Sequence, residues 1–371
     1  MESAGYFPVT AILGPRQCGK TTLAKSWIGK RGEFVYLDLE LPSDLVKLQE
    51  PEDFLKRCAG KIVCLDEIQR VPELFPVLRS LCDLTNAPGQ FLVLGSASPD
   101  LLCQSSESLA GRIGYLELTP FIESEVNEVN QEKLWLRGGF PKSFLAPSDK
   151  LSRLWLDSFV QTFLERDIPQ LGIRVPSMTL RNFWQMCAHY HGEIWNHSKI
   201  AASLGVTGKS VAHYLSILSD AYMLRILHPY VSNIKKRLVK SPRIYLRDTG
   251  ILHRLLDINS RSALDGHPVK GHSWESYVIE QIAAAVPDAE LFFYRTSAGA
   301  EIDLIVKHDG KTYAVEMKSS TSPKLKKGFR IAIDDIKPDR VWVAAPVSES
   351  FMLESGVEVA APQTICNSIR G

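Results

Sequence analysis

The sequence predicts an α/β fold, with a parallel sheet that carries helices on both faces, then a helical region, then a second α/β unit. Three observations predict it. Short apolar runs with little polar alternation recur up to residue 119, which is typical of strands buried on both faces. The stretches between them have helical periodicity and the length of right-handed crossover connections. Strand-like runs return after residue 290.

The composition is that of an ordinary globular protein. The 371 residues are 45% hydrophobic and 23% charged, which excludes a disordered, collagen-like or coiled-coil chain. At roughly 150 residues per domain, this length predicts two or three domains. Basic and acidic side chains number 43 and 42, so no global positive field attracts nucleic acid. Any such contact would require a local basic patch.

Location is predicted from what the sequence lacks. No apolar run approaches the roughly 20 residues that cross a bilayer, and the first nine residues do not have the pattern of a secretory signal. The seven cysteines are scattered, odd in number and without a C-x-x-C pair. They predict neither a zinc site nor a disulfide framework. We therefore expect a cytoplasmic protein with reduced thiols.

The strands of the first sheet are predicted at residues 9–13, 34–39, 61–65, 91–95 and 115–118. From about residue 120 the pattern turns helical, most clearly over 154–166. A helix over 272–286 precedes the second group of strands, at 291–294, 301–306, 313–316 and 341–344. These changes predict domains over residues 1–119, 120–172, 173–260 and 261–371.

A phosphate-binding loop follows the first strand. Its eight residues match G-x-x-x-x-G-K-[ST] between a strand and a helix, the context that this motif requires. Gly14 and Gly19 let backbone N–H groups turn toward a phosphate at a helix N-terminus. Lys20 would reach the β- and γ-phosphates, and the Thr21 hydroxyl would ligate Mg²⁺. The predicted nucleotide-binding residues are Gly14, Pro15, Arg16, Gln17, Cys18, Gly19, Lys20, Thr21 and Thr22. The alternative is a chance glycine-rich turn before a helix.

Further candidate catalytic residues, in addition to Lys20, lie next to later strands of the same sheet, and Arg112 comes just before one of them. Asp66 and Glu67 end the third strand, at the edge where open parallel sheets bind ligands. Asp66 would hold Mg²⁺ through water, and Glu67 would orient and deprotonate the attacking water. Ser96 would position that water or sense the γ-phosphate, unless it caps a helix. Arg112 would stabilise a phosphoryl group bound by a neighbouring subunit, or would pair with a surface acid.

A candidate helix–turn–helix lies in the third region. Residues 198–204 predict a short amphipathic helix, 205–208 a turn and 210–223 a second helix. One stripe of the second helix carries Val211, Leu215, Leu218 and Tyr222. Thr207 or Ser210 would provide its N-cap.

This arrangement is typical of proteins that insert the second helix into the major groove of DNA. Lys209 and His213 would then face the DNA. Basic residues downstream would contact its phosphates: Lys235, Lys236, Arg237, Lys240 and Arg243. The alternative is a rigid protein–protein spacer with a solvated basic face.

Two carboxylates and a lysine converge in the last region. Glu316 and Lys318 are two residues apart on a strand, so both side chains leave the same face. Asp309-Gly310 predicts a tight hairpin turn before that strand, and Asp303 then lies on the partner strand of the hairpin. With Glu275 of the preceding helix, the two acids would bind one or two Mg²⁺ ions, and Lys318 would orient or activate a water that attacks a phosphodiester. The alternative is a structural ion network in which these side chains pair with one another.

With these residues, the chain resembles the prokaryotic AAA-type ATPases whose C-terminal half is an uncharacterised domain. The matching segments are 14–22, 65–69, 95–98, 108–113, 164–167, 204–230 and 245–248. The resemblance implies ATP as the nucleotide, and an AAA-like module, a helical lid, a winged helix and a restriction-endonuclease-like core in series. Asp303 followed by Glu316-x-Lys318 resembles the PD-(D/E)XK signature of nucleases with that core.

The resemblance also implies assembly into a homo-oligomer, in the form of a ring. Because the chain begins close to its first strand, we expect an N-terminal element common in such ATPases to be missing. Two functions follow from the whole pattern. The first is an ATP-driven enzyme that acts on DNA and cuts it with Mg²⁺. The second is an ATP-dependent switch or assembly protein whose C-terminal domain is catalytically silent and only binds a partner.

Overall fold

The computed structural model describes residues 5–85, 87–98, 109–127, 130–231 and 238–371. The chain folds into two compact units that do not follow its order. Unit 1 takes residues up to 120 together with 163–175 and 220–222, and unit 2 takes 121–162, 176–219 and 223–371. The predicted α/β class is confirmed. The four-part division of the chain stays a prediction.

The secondary-structure elements of the described residues are numbered in chain order. The strands are β1 (Val9–Leu13), β2 (Phe34–Asp38), β3 (Ile62–Asp66), β4 (Phe91–Gly95), β5 (Ile113–Glu117), β6 (Leu224–Pro229), β7 (Arg243–Leu246), β8 (Glu290–Arg295), β9 (Glu301–His308), β10 (Lys311–Met317), β11 (Arg340–Ala344), β12 (Phe351–Glu354) and β13 (Val357–Ala360).

The helices in the first half of the chain are α1 (Lys20–Ile28), α2 (Pro42–Lys47), α3 (Pro51–Arg57), α4 (Leu74–Thr85), α5 (Gln131–Arg137), α6 (Pro141–Phe144), α7 (Asp149–Thr162) and α8 (Ile168–Gln170). Those in the second half are α9 (Ser177–His189), α10 (His197–Leu204), α11 (Gly208–Asp220), α12 (Thr249–Leu255), α13 (Arg261–Asp265), α14 (Lys270–Ala285), α15 (Lys327–Ile336) and α16 (Pro362–Arg370). No helix among the described residues is long and apolar enough to cross a membrane.

Unit 1 is built on a five-stranded parallel sheet of order β2-β3-β4-β1-β5. Both faces are covered, as the unbroken apolar runs predicted. Leu13 packs in a core with Leu78 of α4 on one face, while Ile12 packs with Ala24 and Ile28 of α1 on the other. Because the strands are parallel, the loops after β1, β3 and β4 all begin at one edge of the sheet.

Two elements of unit 1 frame that edge. A 3₁₀ turn, Ile68–Arg70, follows β3 directly. A π-helical turn, Phe163–Asp167, precedes the short helix α8. The stretch 154–166 is helical, as the sequence predicted, and the structure adds that the turn after Thr162 is widened from α-helical to π-helical geometry.

Unit 2 contains an eight-stranded mixed sheet of order β12-β13-β11-β10-β9-β8-β6-β7. Strands β9 and β10 form the predicted antiparallel hairpin. Asp309 and Gly310 have φ of 48° and 73° at its turn, the left-handed geometry that an Asp-Gly turn favours. The three strands β10, β11 and β13 run parallel.

The two predicted helices of the helix–turn–helix are α10 and α11, and Thr207 caps the second, accepting a hydrogen bond from Ser210 N at 3.1 Å. Helix α11 ends at Asp220, earlier than predicted. Tyr222 has a φ of 63°, which a continuing helix cannot accommodate. Its ring lies in the core of unit 1, so Tyr222 does not extend the stripe of Val211 and Leu215.

Candidate functional site

Lys20 is the first residue of α1 and is 5% exposed. Its ammonium lies 2.9 Å from the carbonyl oxygen of Gly14, 2.8 Å from that of Pro15 and 3.1 Å from the Ser96 hydroxyl. All three of these partners are neutral oxygens, so they orient the ammonium without cancelling its charge. A buried cation of this kind attracts an anionic ligand strongly, because little water screens it.

Thr21 and Asp66, both predicted to serve Mg²⁺, are in direct contact. The Thr21 hydroxyl donates to Asp66 Oδ2 at 2.7 Å. Tyr36, which the sequence analysis missed, donates its hydroxyl to the same oxygen at 2.5 Å. Burial and the nearby Asp66 raise the pKa of Tyr36, so its hydroxyl keeps its proton and holds the carboxylate in place. Tyr36 pairs in register with Cys64, two residues before Asp66 on the adjacent strand, and this was the available signal.

Glu67 lies beside Lys20 and Ser96, as predicted. Its backbone is left-handed, with φ of 60°, a conformation that non-glycine residues adopt mainly where the surrounding structure enforces it. The Ser96 hydroxyl is 3.4 Å from the Glu67 carboxylate. Gln69, another residue that was missed, hydrogen-bonds the same carboxylate through its amide nitrogen. Burial raises the pKa of Glu67, and Lys20 and Arg16 oppose that shift.

Arg16 does not turn toward Lys20. One nitrogen of its guanidinium is 2.5 Å from Glu40, which follows β2. The other nitrogen forms an ion pair with Asp167 and lies 3.0 Å from the side-chain oxygen of Gln170. None of these three partners was predicted.

The rest of the loop wraps closely around the end of β5. A Cβ at Gly14 would lie 2.1 Å from the Leu118 carbonyl oxygen, so only glycine fits there. The Cys18 thiol donates to the same carbonyl at 3.4 Å. Burial raises the pKa of Cys18. Gly19 and Gln17 have φ of 110° and 63°.

Arg112 is not brought to the phosphate loop of its own chain. Its carbonyl accepts a hydrogen bond from Val9 N at 3.1 Å, at the amino ends of β1 and β5, whereas the loop follows the carboxyl end of β1. Its guanidinium pairs with Asp83 at 2.5 Å. Ser108, Lys235, Lys236 and Arg237 lie outside the described residues.

The carboxylate–lysine cluster of unit 2 assembles as the hairpin predicted. The Lys318 ammonium is 2.5 Å from Glu316 Oε1 and 3.8 Å from Asp303 Oδ2. Asp303 also accepts a hydrogen bond from Met317 N at 3.0 Å. Burial, together with the charge of Asp303, raises the pKa of Glu316. Glu316 Oε2 is buried and has no hydrogen-bond partner among the described residues.

Glu275, the third acid predicted to bind metal, lies close enough for its charge to act on Lys318: burial lowers the pKa of Lys318, but Asp303, Glu316 and Glu275 together raise it above its usual value. Glu275 accepts hydrogen bonds from the Tyr245 hydroxyl at 2.7 Å and pairs with His272 at 3.1 Å. Among the described residues, no three His, Cys, Asp or Glu side chains are grouped so that they would hold a metal ion. The acids are paired with cations instead.

The prediction that Arg243 contacts DNA phosphates is wrong. Arg243 is 3% exposed, forms an ion pair with Glu301 and lies 3.7 Å from Asp303 Oδ1, so it does not contact DNA from the surface. The predicted basic residues Lys240, Lys209 and His213 are exposed.

A cavity of about 380 Å³ lies in unit 2, and its lining includes the residue that follows Lys318. The segments after β10, β11 and β13 contribute Ser319, Pro346 and Pro362, and α14 contributes Trp274 and Tyr277. The carboxyl ends of parallel strands are where open α/β sheets bind ligands.

Three family models match the chain in succession: an AAA domain over residues 6–127, a domain of unknown function (DUF8612) over 129–262 and another (DUF4143) over 270–364. Two uncharacterized proteins, from Mycobacterium bovis and Mycobacterium tuberculosis, are 44% identical to it over 355 residues, which is 96% of this chain and 80% of theirs. The chain belongs to this family of AAA-domain proteins.

The AAA domain coincides with the phosphate loop, Asp66–Glu67 and Ser96. This confirms the resemblance to AAA-type ATPases with a C-terminal domain of unknown function, and ATP binding follows from it. The winged helix and the nuclease-like core stay predictions.

Two solved structures are also similar to parts of the fold. A structure of Drosophila ORC bound to AT-rich DNA and Cdc6 has 10% identity and a TM-score of 0.22, covering 70% of this chain and 88% of that one. A Vibrio cholerae protein has 11% identity and a TM-score of 0.19, covering 98% and 96%. At such low scores, neither likeness carries an argument about fold or partner.

Proposed function

We propose that this AAA-domain protein hydrolyses ATP with Mg²⁺ at the phosphate loop of unit 1. The observation that carries the proposal is the environment of Lys20, a buried ammonium held by three neutral oxygens. None of its direct hydrogen-bond partners is charged, so the ammonium is available to pair with an anionic ligand. The triphosphate of ATP supplies that charge at the N-terminus of α1, where backbone N–H groups also point at an anion.

Thr21 and Asp66 fit magnesium. Hydroxyl and carboxylate oxygens are the ligands that this ion takes from proteins, and these two oxygens already lie 2.7 Å apart. Bound magnesium neutralises phosphate charge. Tyr36 would keep the Asp66 carboxylate turned toward Thr21.

Glu67 and Ser96 would prepare the attacking water. Glu67 would accept its proton, and Ser96, whose hydroxyl lies near both Glu67 and Lys20, would orient it beside the γ-phosphate. Gln69 would hold the carboxylate in position.

The test uses the full-length protein in calorimetric titration with ATP and Mg²⁺, followed by a phosphate-release assay. Wild type should bind and turn over ATP, whereas Lys20→Ala should lose both. Lys30→Ala is the matched control, since Lys30 is an exposed lysine just beyond α1, and it should behave as wild type. Wild-type protein that neither binds nor hydrolyses ATP would refute the proposal.

We also propose that the protein is a cytoplasmic homo-oligomer, in the form of a ring, and that α11 contacts DNA. The six cysteines of the described residues are all free, in keeping with a reducing compartment. Lys209 and His213 are exposed on α11. If they contact phosphates, Lys209→Ala should weaken duplex binding and lower its salt dependence; unchanged binding would leave the protein–protein spacer as the function of this helix.

Nucleic-acid cleavage in unit 2 is the second candidate function. One observation favours it: Glu316 Oε2 is buried without a partner, and an orphaned carboxylate oxygen is expensive unless a ligand satisfies it. Glu275 is engaged by Tyr245 and His272, and no three His, Cys, Asp or Glu side chains of the described residues are grouped so that they would hold a metal ion. The ion network of Lys318, Glu316 and Asp303 favours the silent alternative, in which unit 2 only binds a partner.

One variant separates the two. Asp303→Asn should abolish any cleavage of DNA or RNA that the wild type shows with Mg²⁺ or Mn²⁺, while leaving ATP turnover unchanged. If wild type cuts no form of DNA or RNA under these conditions, unit 2 is silent. Equal cleavage by wild type and Asp303→Asn would identify a contaminating nuclease.

A further inference from the structure

We infer that Glu40 and Asp167 are positioning residues for the phosphate loop, and that they act through Arg16. We call Arg16, Glu40, Asp167 and Gln170 the loop clasp. The inference rests on the proposed ATP site and adds to it residues that come from outside the loop and from outside the matched AAA domain, since Asp167 and Gln170 lie beyond residue 127.

The clasp joins three separate elements of unit 1. Arg16 belongs to the phosphate loop, Glu40 follows β2, and Asp167 and Gln170 belong to the π-helical turn and α8. The guanidinium uses one nitrogen for Glu40, at 2.5 Å, and the other for Asp167 and Gln170. The side chains of Arg16 and Asp167 are only 16% and 8% exposed, so water screens this pair weakly.

The geometry requires an arginine. A guanidinium presents a flat, fixed fork of donors and can hold two acids on different sides at once, whereas a lysine ammonium is a single point charge. Charge-assisted hydrogen bonds of this kind are about twice as strong as neutral ones. Arg16 is therefore fixed at both nitrogens, and the loop backbone that carries it is fixed with it.

This loop needs such restraint. Gly14, Gln17 and Gly19 all have positive φ. Glycine adopts this geometry easily, but it also allows the backbone many other conformations. A tether that removes the alternatives before ligand binding raises affinity, because less conformational freedom is lost when the ligand arrives. The clasp supplies that tether at Arg16, through partners that are different from those of Lys20.

Glu40 also connects the clasp to the catalytic edge. Arg70, at the end of the 3₁₀ turn after Glu67, lies 3.2 Å from its carboxylate, and Arg166 lies 3.4 Å from it. Burial raises the pKa of Glu40, but Arg16, Arg166 and Arg70 together lower it below its usual value. Glu40 is thus ionised at neutral pH and holds the segments before Lys20 and after Glu67 in one arrangement.

The π-helical turn gives Asp167 its place. Turns of this type are rare and occur frequently at functional sites. Here the turn ends on Asp167 itself, which is 7% exposed. Because the clasp uses an acid on this turn, ATP binding should depend on Asp167, which lies 151 positions after Arg16 in the sequence.

A different role for Arg16 makes the opposite prediction. If Arg16 contacts the phosphates directly, as the sequence analysis expected, then Asp167 competes with ATP for the guanidinium. Removing the charge of Asp167 would then leave ATP affinity unchanged or improve it. In the clasp, the same change weakens ATP binding.

The experiment measures the Kd of the Mg²⁺ complex of a non-hydrolysable ATP analogue for the full-length protein. Asp167→Asn should raise Kd by about tenfold and Arg16→Gln by at least as much, because the arginine also holds Glu40. The double variant should be no worse than Arg16→Gln alone, since Asp167 acts through Arg16. Arg16→Lys should not restore the affinity. Glu52→Gln is the matched control, because it breaks an exposed ion pair with Lys56 in the same unit, and it should bind as wild type.

A second measurement does not depend on nucleotide. Amide hydrogen exchange of residues 14–19 should become faster in Asp167→Asn and Arg16→Gln, by more than exchange in the strands of unit 1, but not in Glu52→Gln. Undiminished affinity in Asp167→Asn, or unchanged exchange of the loop, would overturn the clasp. If wild type binds no ATP, the proposed function fails, and the exchange of residues 14–19 still decides for or against the clasp.

Discussion

Two lysines lie at the carboxyl ends of parallel strands, each beside carboxylates, and the chain uses their charges differently. Lys20 in unit 1 is held by two backbone carbonyls and a hydroxyl. Lys318 in unit 2 is held by Glu316 and Asp303. The comparison teaches that residue types alone do not define a ligand site. What matters is whether the direct partners of the lysine are charged. Those of Lys20 are neutral oxygens, so its charge is available to a ligand. Those of Lys318 are carboxylates, which neutralise it.

The largest expected effect would sharpen this comparison. In unit 1, Arg112 lies at the far edge of the sheet from Lys20 and pairs with Asp83, so within one chain it cannot reach the phosphates. If it serves a neighbouring subunit, Arg112→Ala should lower kcat by on the order of 10³-fold, as loss of such an arginine does elsewhere. Phosphate release under saturating ATP measures the effect.

Mixing provides the control for Arg112. Equal amounts of Arg112→Ala and Lys20→Ala protein should regain part of the activity, because some sites then combine an intact loop with an intact arginine. Asp83→Ala should retain most of its kcat. If Asp83→Ala and Arg112→Ala lose activity equally, the surface ion pair itself is what matters, and Arg112 has no role across subunits.

Removal of each lysine would test the comparison directly. Lys318→Met leaves Glu316 buried without its cation, and breaking a buried pair in this way should cost about 3 kcal/mol of unfolding free energy. Lys20→Met removes hydrogen bonds to neutral oxygens, which should cost about 1 kcal/mol. Urea unfolding at pH 7.5 measures both.

The double variant Lys318→Met with Glu316→Gln should recover part of the loss, because the orphaned charge is then gone. Equal destabilisation by Lys318→Met and Lys20→Met would show that the two lysines are held alike, and the comparison would break.

The stability of the two units should also respond differently to low pH. All nine histidines of the chain lie in unit 2, since the first is His189. His191 accepts a hydrogen bond from Leu246 N, and His253 bonds the Leu136 carbonyl and the Ser273 hydroxyl. Burial lowers the pKa of His191 to about 3 and that of His253 to about 4, so the folded protein keeps both neutral.

The sign of the pH effect follows from that difference. Below about pH 6.5 the unfolded chain protonates these histidines and the folded chain does not, so their contribution to stability falls as pH falls, by about 1.4 kcal/mol per histidine per pH unit down to the folded pKa. Burial raises the pKa of Glu316 to about 8 and that of Asp248 to about 6, and these two acids act in the opposite direction. Between pH 7.5 and 5, His191→Gln should therefore lose less stability than wild type in urea unfolding followed by tryptophan fluorescence. The same pH slope in both proteins would contradict the prediction.

Much of unit 1 could be predicted because its signals are contiguous. Strands β1 and β4 match their predicted bounds residue for residue, since an unbroken apolar run between turns leaves little choice. The contacts among Lys20, Thr21 and Asp66 follow from parallel strands that end at one edge. The sequence predicts the helix after the loop over residues 22–28, and α1 begins two residues earlier, at Lys20, because the last loop residues already have helical geometry.

The parts that the sequence did not reveal depend on long-range partners or on side-chain direction. Arg16 meets Asp167 across 151 positions, and no local pattern links an arginine to an acid so distant. Glu275 lies on a helix, as the sequence predicted. The direction of its side chain depends on a hydrogen bond from Tyr245, which belongs to a separate strand, β7. Arg243 reads as a basic surface residue, and only the folded sheet shows that it is buried against Glu301.

The smallest expected effect concerns Cys18. Its thiol is 6% exposed and donates to the Leu118 carbonyl, and burial raises its pKa. We therefore expect iodoacetamide to modify it more slowly than an unfolded-chain cysteine at pH 8, since the thiolate is the reactive form. Once modified, Cys18 would press on the loop and weaken ATP binding. Mass spectrometry of the loop peptide measures the rate, and Cys18→Ala should bind ATP about as well as wild type. Rapid modification that leaves ATP binding intact would show that Cys18 faces solvent and that the loop does not pack against the end of β5.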